Sequence, residues 1–151
     1  MGRSGTVYKK TEPTLYIMRG LPGSGKDAAV NTLLKFIPQT IVIAAQDFVD
    51  EHNRSYAEFP HLKERARYAR LADCFRHMAA QASPIVVNDE HIEHWEYAPY
   101  QEMAKHFKYQ VAVIDLFDAG LTDMQLKCRC PDNVSAAFIA LMRTMYEPNA
   151  L

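Results

Sequence analysis

Apolar and polar positions along the chain fall into two kinds of segment. Residues 14–19, 40–45, 85–87 and 111–117 are short runs built almost wholly from Leu, Ile, Val, Ala, Met and aromatic residues. Runs without regular polar alternation suit strands buried on both faces, as in a parallel sheet covered by helices. The longer segments between them carry helical spacing. Residues 26–36 offer Ala28, Ala29, Leu33 and Phe36 to the sheet, and Pro38 closes that helix. Residues 62–82 place Leu71, Phe75, Met78 and Ala82 at i, i+4, i+7 and i+11. Residues 95–107 and 135–146 complete the set of predicted helices. Strands alternating with helices predict an α/β fold of three layers, with a parallel sheet of four or five strands. Ligands of such sheets sit beyond the carboxyl ends of the strands. That rule directs attention to residues 20–27, 46–50, 88–91 and 118–130.

Composition narrows the picture. At 151 residues, with 48 % hydrophobic and 23 % charged residues, the chain reads as one ordinary globular domain. Residues 1–13 are expected to be a flexible tail, and 14–151 the folded unit. The opening Met1-Gly2-Arg3-Ser4-Gly5-Thr6 formally fits a myristoylation pattern, a match that small polar residues at a frayed terminus readily produce. No apolar stretch reaches membrane-spanning length and no secretory signal is visible, so a cytoplasmic location is expected. Three cysteines, Cys74, Cys128 and Cys130, read as free thiols. A net charge of −1 argues against gripping long duplex DNA and leaves room only for local nucleic-acid contacts.

The chemistry concentrates after the predicted strands. Gly20-Leu21-Pro22-Gly23-Ser24-Gly25-Lys26 fits G-x-x-x-x-G-K between a strand and a helix. Its glycines let backbone amides converge on phosphates, and Lys26 reaches the β- and γ-phosphates. Gly20, Pro22, Gly23, Ser24, Gly25, Lys26 and Asp27 are therefore the expected nucleotide-binding residues, with ATP and Mg²⁺ as cofactors. Asp27 stands where the motif calls for a Ser or Thr hydroxyl on Mg²⁺. A carboxylate suits that hard cation but repels the γ-phosphate in its absence. Asp47, after the second strand, is the candidate general base, with Asp50 as a weaker one. Asp89 closes an apolar strand and suits Mg²⁺ or the acceptor. Glu90, His91, Glu93 and His94 lack the spacing of a zinc hydrolase and are expected to be solvated or to line the acceptor. Cys128 and Cys130 are too few for a zinc site. Lys127, Arg129 and Arg143 fall where a lid would close over a triphosphate, which makes Arg129 and Arg143 candidate catalytic cations. Lys63, Arg67 and Arg70 form a basic row, flanked by Arg65 and Arg76, that suits either solvent or nucleic-acid phosphates.

Several strings resemble the P-loop kinases grouped around phage polynucleotide 5′-kinase, the zeta-toxin and AAA-type small kinases, and the related P-loop domain of eukaryotic ubiquitin-ligase-binding proteins. Arg19-Gly20-Leu21-Pro22-Gly23-Ser24-Gly25-Lys26 looks like R-G-x-P-G-S-G-K, Trp95-Glu96-Tyr97-Ala98-Pro99-Tyr100 matches W-E-x-x-P-Y, and Arg143-Thr144-Met145-Tyr146 resembles R-x-M-Y. Asp89 falls on the acid of a D-T-N-L segment that here reads Asp89-Glu90-His91-Ile92. A D-D pair is replaced by Gln46-Asp47, so the family's first acid, its apparent base, is missing unless Asp47 takes its place. The resemblance implies a P-loop kinase transferring the γ-phosphoryl group of ATP to a hydroxyl of a nucleic acid or nucleotide, through Lys26, Asp47, Asp89, Arg129 and Arg143. Its rewritten acceptor end leaves open a hydroxymethyl group on a modified base in phage DNA, a small-molecule acceptor, or a non-catalytic nucleotide-binding module.

Overall fold

The computed structural model describes residues 12–44, 63–130 and 134–149. Strands β1 (Thr14–Arg19), β2 (Ile41–Ala44), β3 (Ile85–Asn88) and β4 (Gln110–Asp115) form one parallel sheet in the order β2-β3-β1-β4. Helices α1 (Lys26–Phe36), α2 (Lys63–Ala79) and α3 (His94–Phe107) connect them, and α4 (Asp123–Cys128) and α5 (Ala136–Met145) follow the last strand.

Successive side chains of β1 explain the layering, because strand side chains alternate between faces. Leu15 and Ile17 pack with Ile43, Ile85, Val87, Cys74, Met78, Tyr97, Tyr100 and Ala104, under α2 and α3. Met18 and Val86 point the other way and meet Val30 of α1. Three layers result, as expected, and burying each of these large aliphatic side chains contributes about 1.5–3 kcal/mol. A third cluster joins Leu21, Ile92, Leu126 and Ile139. It fastens the loop after β1 to α4 and α5. Among the described residues, no helix is long and apolar enough to cross a membrane.

Two sequence expectations about helix faces are corrected. Phe36 is 80 % exposed and does not face the sheet. Val30 is the buried residue of α1, and Phe36 lies six residues on, about 120° round the helix from it. In α2 the buried row is Ala66, Arg70, Cys74 and Met78, not the one through Phe75, which is half exposed and packs edge-on against Phe107. The basic row Lys63-Arg67-Arg70 is therefore not one solvent face: Arg70 turns inward.

Helix α4 was not anticipated. Six residues are too few for periodicity to register, yet Thr122-x-x-Gln125 is a capping-box signature. The Thr122 side chain accepts from the Gln125 amide at 3.2 Å, and Gln125 Oε1 accepts from the Thr122 amide at 2.9 Å.

Candidate nucleotide and phosphoryl-transfer site

The loop of residues 20–25 runs from the carboxyl end of β1 into α1, and neighbouring strand ends fix its entry. The Gly20 amide donates to Glu90 O at 3.0 Å and the Leu21 amide to Phe117 O at 2.8 Å. Gly25, at φ +103°, is the N-cap of α1. With no side chain there, the first-turn amides of the helix have no side-chain cap, and the positive end of the helix dipole is left bare. Gly23, at φ +82°, has no room for a Cβ, which would run into the Leu126 carbonyl. Ser24 is buried, and its Oγ has no hydrogen-bond partner among the described residues. Uncapped amides and an orphaned hydroxyl are what a phosphate would satisfy. Lys26 Nζ meanwhile donates to Gly20 O at 2.9 Å and Leu21 O at 3.2 Å.

The carboxylates gather beside this loop. Asn88 Nδ2, at the end of β3, donates to Asp27 Oδ1 at 2.8 Å. The start of α1 and the tip of β3 thus form one corner, with Asp89 the next residue. Asp89 Oδ2 accepts from Arg70 at 3.1 Å, and Oδ1 accepts from the Glu90 amide at 2.8 Å. Burial opposes ionisation of Asp89. Hydrogen bonds from Glu90, with the charges of His91 and Arg70, outweigh it and hold the carboxyl well below the usual range. Glu90 moves the opposite way: burial, a hydrogen bond to Asp89 and that neighbour's charge push it up to about 8, against the pull of Lys26. The pair behaves as one carboxylate and one carboxylic acid, because like charges so close cannot both ionise.

This predicts a pH-dependent stability. The native state keeps a proton on Glu90 that the unfolded chain releases near its ordinary value of 4.5, so stability falls as pH rises from about 4.5 to about 8. Glu90→Gln removes that loss. Its stability relative to the parent rises across this window, by about 1 kcal/mol between pH 6 and pH 8 once solvent screening is allowed for. Thermal unfolding at pH 5, 6, 7 and 8 without nucleotide measures it, and a difference that stays flat with pH contradicts the assignment.

Arg129 caps the carboxyl end of α4 and is exposed. Cys130 stands next to it, with its Sγ 3.2 Å from where a Gly23 Cβ would lie, and its thiol feels the charges of Lys26, Glu90, Lys127 and Arg129. The structure thus brings Arg129 to the flank of the phosphate loop. Arg143 is engaged elsewhere: it donates to Asp118 at 2.5 Å, Asp123 at 2.9 Å and Leu121 O at 3.0 Å. It ties α5 to α4 and to the turn after β4. Asp47 and Asp50 lie outside the described residues.

Of the two histidines, His91 is corrected. His91 is neither solvated nor acceptor-lining: it is buried at φ +47°, its Nδ1 lies 2.6 Å from Met18 O, and it packs against Tyr97 and Tyr100. His94 Nε2 lies 2.6 Å from Pro148 O, and its ring lies near Glu147 at the end of the described chain.

Sequence reasoning passed over Asn88, which aligns Asp27, and read Glu90 and Arg70 in other roles: Glu90 holds a proton beside ionised Asp89, and Arg70 supports Asp89 from α2. Arg19 had been noted only as a motif letter. It is fully buried and donates to His91 O, Ile92 O and Asp115 Oδ2 at 3.0 Å each, and to Glu147 O at 2.7 Å.

The family model described as AAA domain matches residues 15–125. The chain belongs to this family. Its fold is that of the small P-loop kinases. The chain is 28 % identical over 113 residues to human NEDD4-binding protein 2, a match covering 72 % of this chain and 6 % of that protein. It is also similar to a structure of the Pnkp1/Rnl/Hen1 RNA repair complex, with a TM-score of 0.68 at 17 % identity over 93 % of this chain and 46 % of that one. A gluconokinase from Sinorhizobium meliloti 1021 gives 0.61 at 15 % identity over 92 % and 78 %. At those identities the structural likeness establishes fold alone.

Proposed function

We propose that the chain is a kinase that moves the γ-phosphoryl group of ATP onto a hydroxyl of a nucleic acid or nucleotide. The observation that carries this reading is the meeting of an uncapped, glycine-lined helix start with Asp27, Asp89 and Lys26 at one corner of the sheet. Phosphoryl transfer needs little more than positioning and charge compensation. The loop amides, Ser24 and Lys26 would hold the triphosphate, and Arg129 would approach from α4. Arg143 would hold that lid through Asp118 and Asp123.

The corner fits Mg²⁺, which takes one or two carboxylates together with waters and phosphate oxygens. Asp27 would hold it, and the buried, unpartnered Asn88 Oδ1 beside it offers a water-binding oxygen. Asp89, paired with Arg70, would act through water. When bound, the ion would neutralise charge on the transferring phosphoryl group. Asp47 would accept the acceptor's proton.

A nucleic-acid acceptor is supported by the RNA repair complex among the structural neighbours and by Lys63 and Arg67 on α2 outside the acid corner. Incubation with γ-labelled ATP, Mg²⁺ and a panel of single-stranded DNA, RNA, hydroxymethylated DNA, nucleosides and sugars tests it. Label on a strand or nucleoside is expected. Label only on sugars points to a small-molecule kinase, and none on any acceptor points to a nucleotide-binding module without transfer. Asp47→Asn is expected to lower kcat by about 10²-fold or more with nucleotide affinity unchanged. Full activity in that variant removes Asp47 as the base.

A further inference from the structure

Against Arg67 of α2, one turn from the Arg70 that binds Asp89, stands an aromatic side chain that the transfer chemistry leaves unused. Trp95 lies in the first turn of α3 and is 51 % exposed, a large apolar surface for a described residue to leave in water. One face of its indole is covered: the Arg67 guanidinium lies over the ring, 4.5 Å from the centroid. Arg67 is held in turn by Glu64 at 2.8 Å. The guanidinium thus fixes the ring from α2 while part of the ring surface stays open to solvent. Acids flank it too, but Glu93 and Glu96 are engaged in the reciprocal cap of α3.

The position is what gives this ring a use. Arg70 sits three residues beyond Arg67, about one turn along α2, and it binds Asp89 directly. One turn the other way, exposed Lys63 continues the same line. From Asp89 outward, α2 therefore presents a neutralised arginine, an arginine that backs an indole and an exposed ammonium. Phosphate-binding cations interleaved with an aromatic platform suit a single strand, whose unpaired bases stack on rings without regard to sequence. Bases inside a duplex are stacked on both faces and cannot reach such a ring.

We propose that Trp95, backed by Arg67, is a stacking platform for an unpaired base of a single-stranded nucleic acid whose hydroxyl end reaches the Asp89 corner. This deepens the kinase reading and rests on it for the identity of the acceptor. The chain has a single tryptophan, so emission excited at wavelengths that tyrosine does not absorb reports on this ring alone. Titration of the full chain, without ATP, with a ten-nucleotide oligo-dT or oligo-U is expected to give saturable quenching. An abasic strand of equal length should leave the emission unchanged.

Anisotropy of a labelled oligonucleotide gives the affinity of variants. Trp95→Ala is expected to weaken it about tenfold, whereas Trp95→Phe keeps it within about threefold. Absence of quenching, equal quenching by the abasic strand, or unchanged affinity in Trp95→Ala overturns the platform. So does a Trp95→Ala variant that loses only thermal stability, which would make the ring a staple between α2 and α3. Labelled transfer to oligonucleotides without quenching would sink the platform and spare the kinase. Quenching with weakened Trp95→Ala binding, but no transfer, would uphold the platform and sink the kinase.

Discussion

Lys26→Ala is expected to lower kcat/KM for phosphoryl transfer by about 10²–10³-fold while leaving the fold intact. The magnitude is that of deleting one preorganised group that stabilises transition-state charge. This lysine answers an electrostatic problem set by its surroundings. Asp27, Asp89 and Glu90 place carboxyl groups beside a loop built for a polyanion, and Glu90 escapes ionisation only by holding its proton. The Lys26 ammonium lies among these groups, on the carbonyls of Gly20 and Leu21, and Glu90 feels its charge. Without it the acid corner faces the triphosphate uncompensated. Nucleotide affinity should fall as well, so the ATP-dependent rise in melting temperature should shrink. The melting temperature without nucleotide should hardly move, because the side chain is only partly buried and packs no core cluster. Transfer within about twofold of the parent would mean that the loop does not hold the reacting phosphates.

The same corner marks how far the sequence alone could go. Strand β1 and helix α1 were legible to the residue at most ends, because the glycine-lysine motif and Pro38 punctuate them. The layer order followed from unbroken apolar runs. Pattern reading failed where a charged side chain is buried. Arg70 occupies the sheet-facing row of α2 because Asp89, nineteen residues away, compensates it. A hydrophobicity pattern registers no such partner, so it chose a row rotated towards Phe75. Glu90 was read as solvated or acceptor-lining for a related reason. Asp89 is its neighbour in the chain, but the burial and the approach of Lys26 come only once β1 and β3 pair, and only then does its carboxyl become unusual. For Arg143 the residue type and general place were legible in the motif, while its two carboxylate partners emerge only from the fold.

Arg19→Ala should destabilise the fold by about 3–5 kcal/mol, the cost of stripping one partner from a buried ion pair. Arg19 ends β1, has no exposed surface, and spends its guanidinium on four oxygen acceptors from three separate parts of the chain. His91 O and Ile92 O come from the segment after β3, Asp115 from the end of β4, and Glu147 O from beyond α5. Tyr97 and Tyr146 lie against its charge, with ring centroids 4.9 and 4.4 Å away. Truncation leaves the Asp115 carboxylate without its cation and three carbonyls short of a donor, in a space too crowded for easy collapse. A loss of that size lowers the melting temperature of a domain this long by roughly 10 °C or more. Arg19→Lys should recover little, since one ammonium cannot reproduce the planar fork that reaches across both tyrosines. Because Gly20 follows directly, the variant should also bind nucleotide more weakly at temperatures where it remains folded. Urea unfolding at 25 °C decides the matter: a loss below about 1 kcal/mol in Arg19→Ala would show that these contacts are replaceable, and that something else holds the phosphate loop to the ends of β3 and β4.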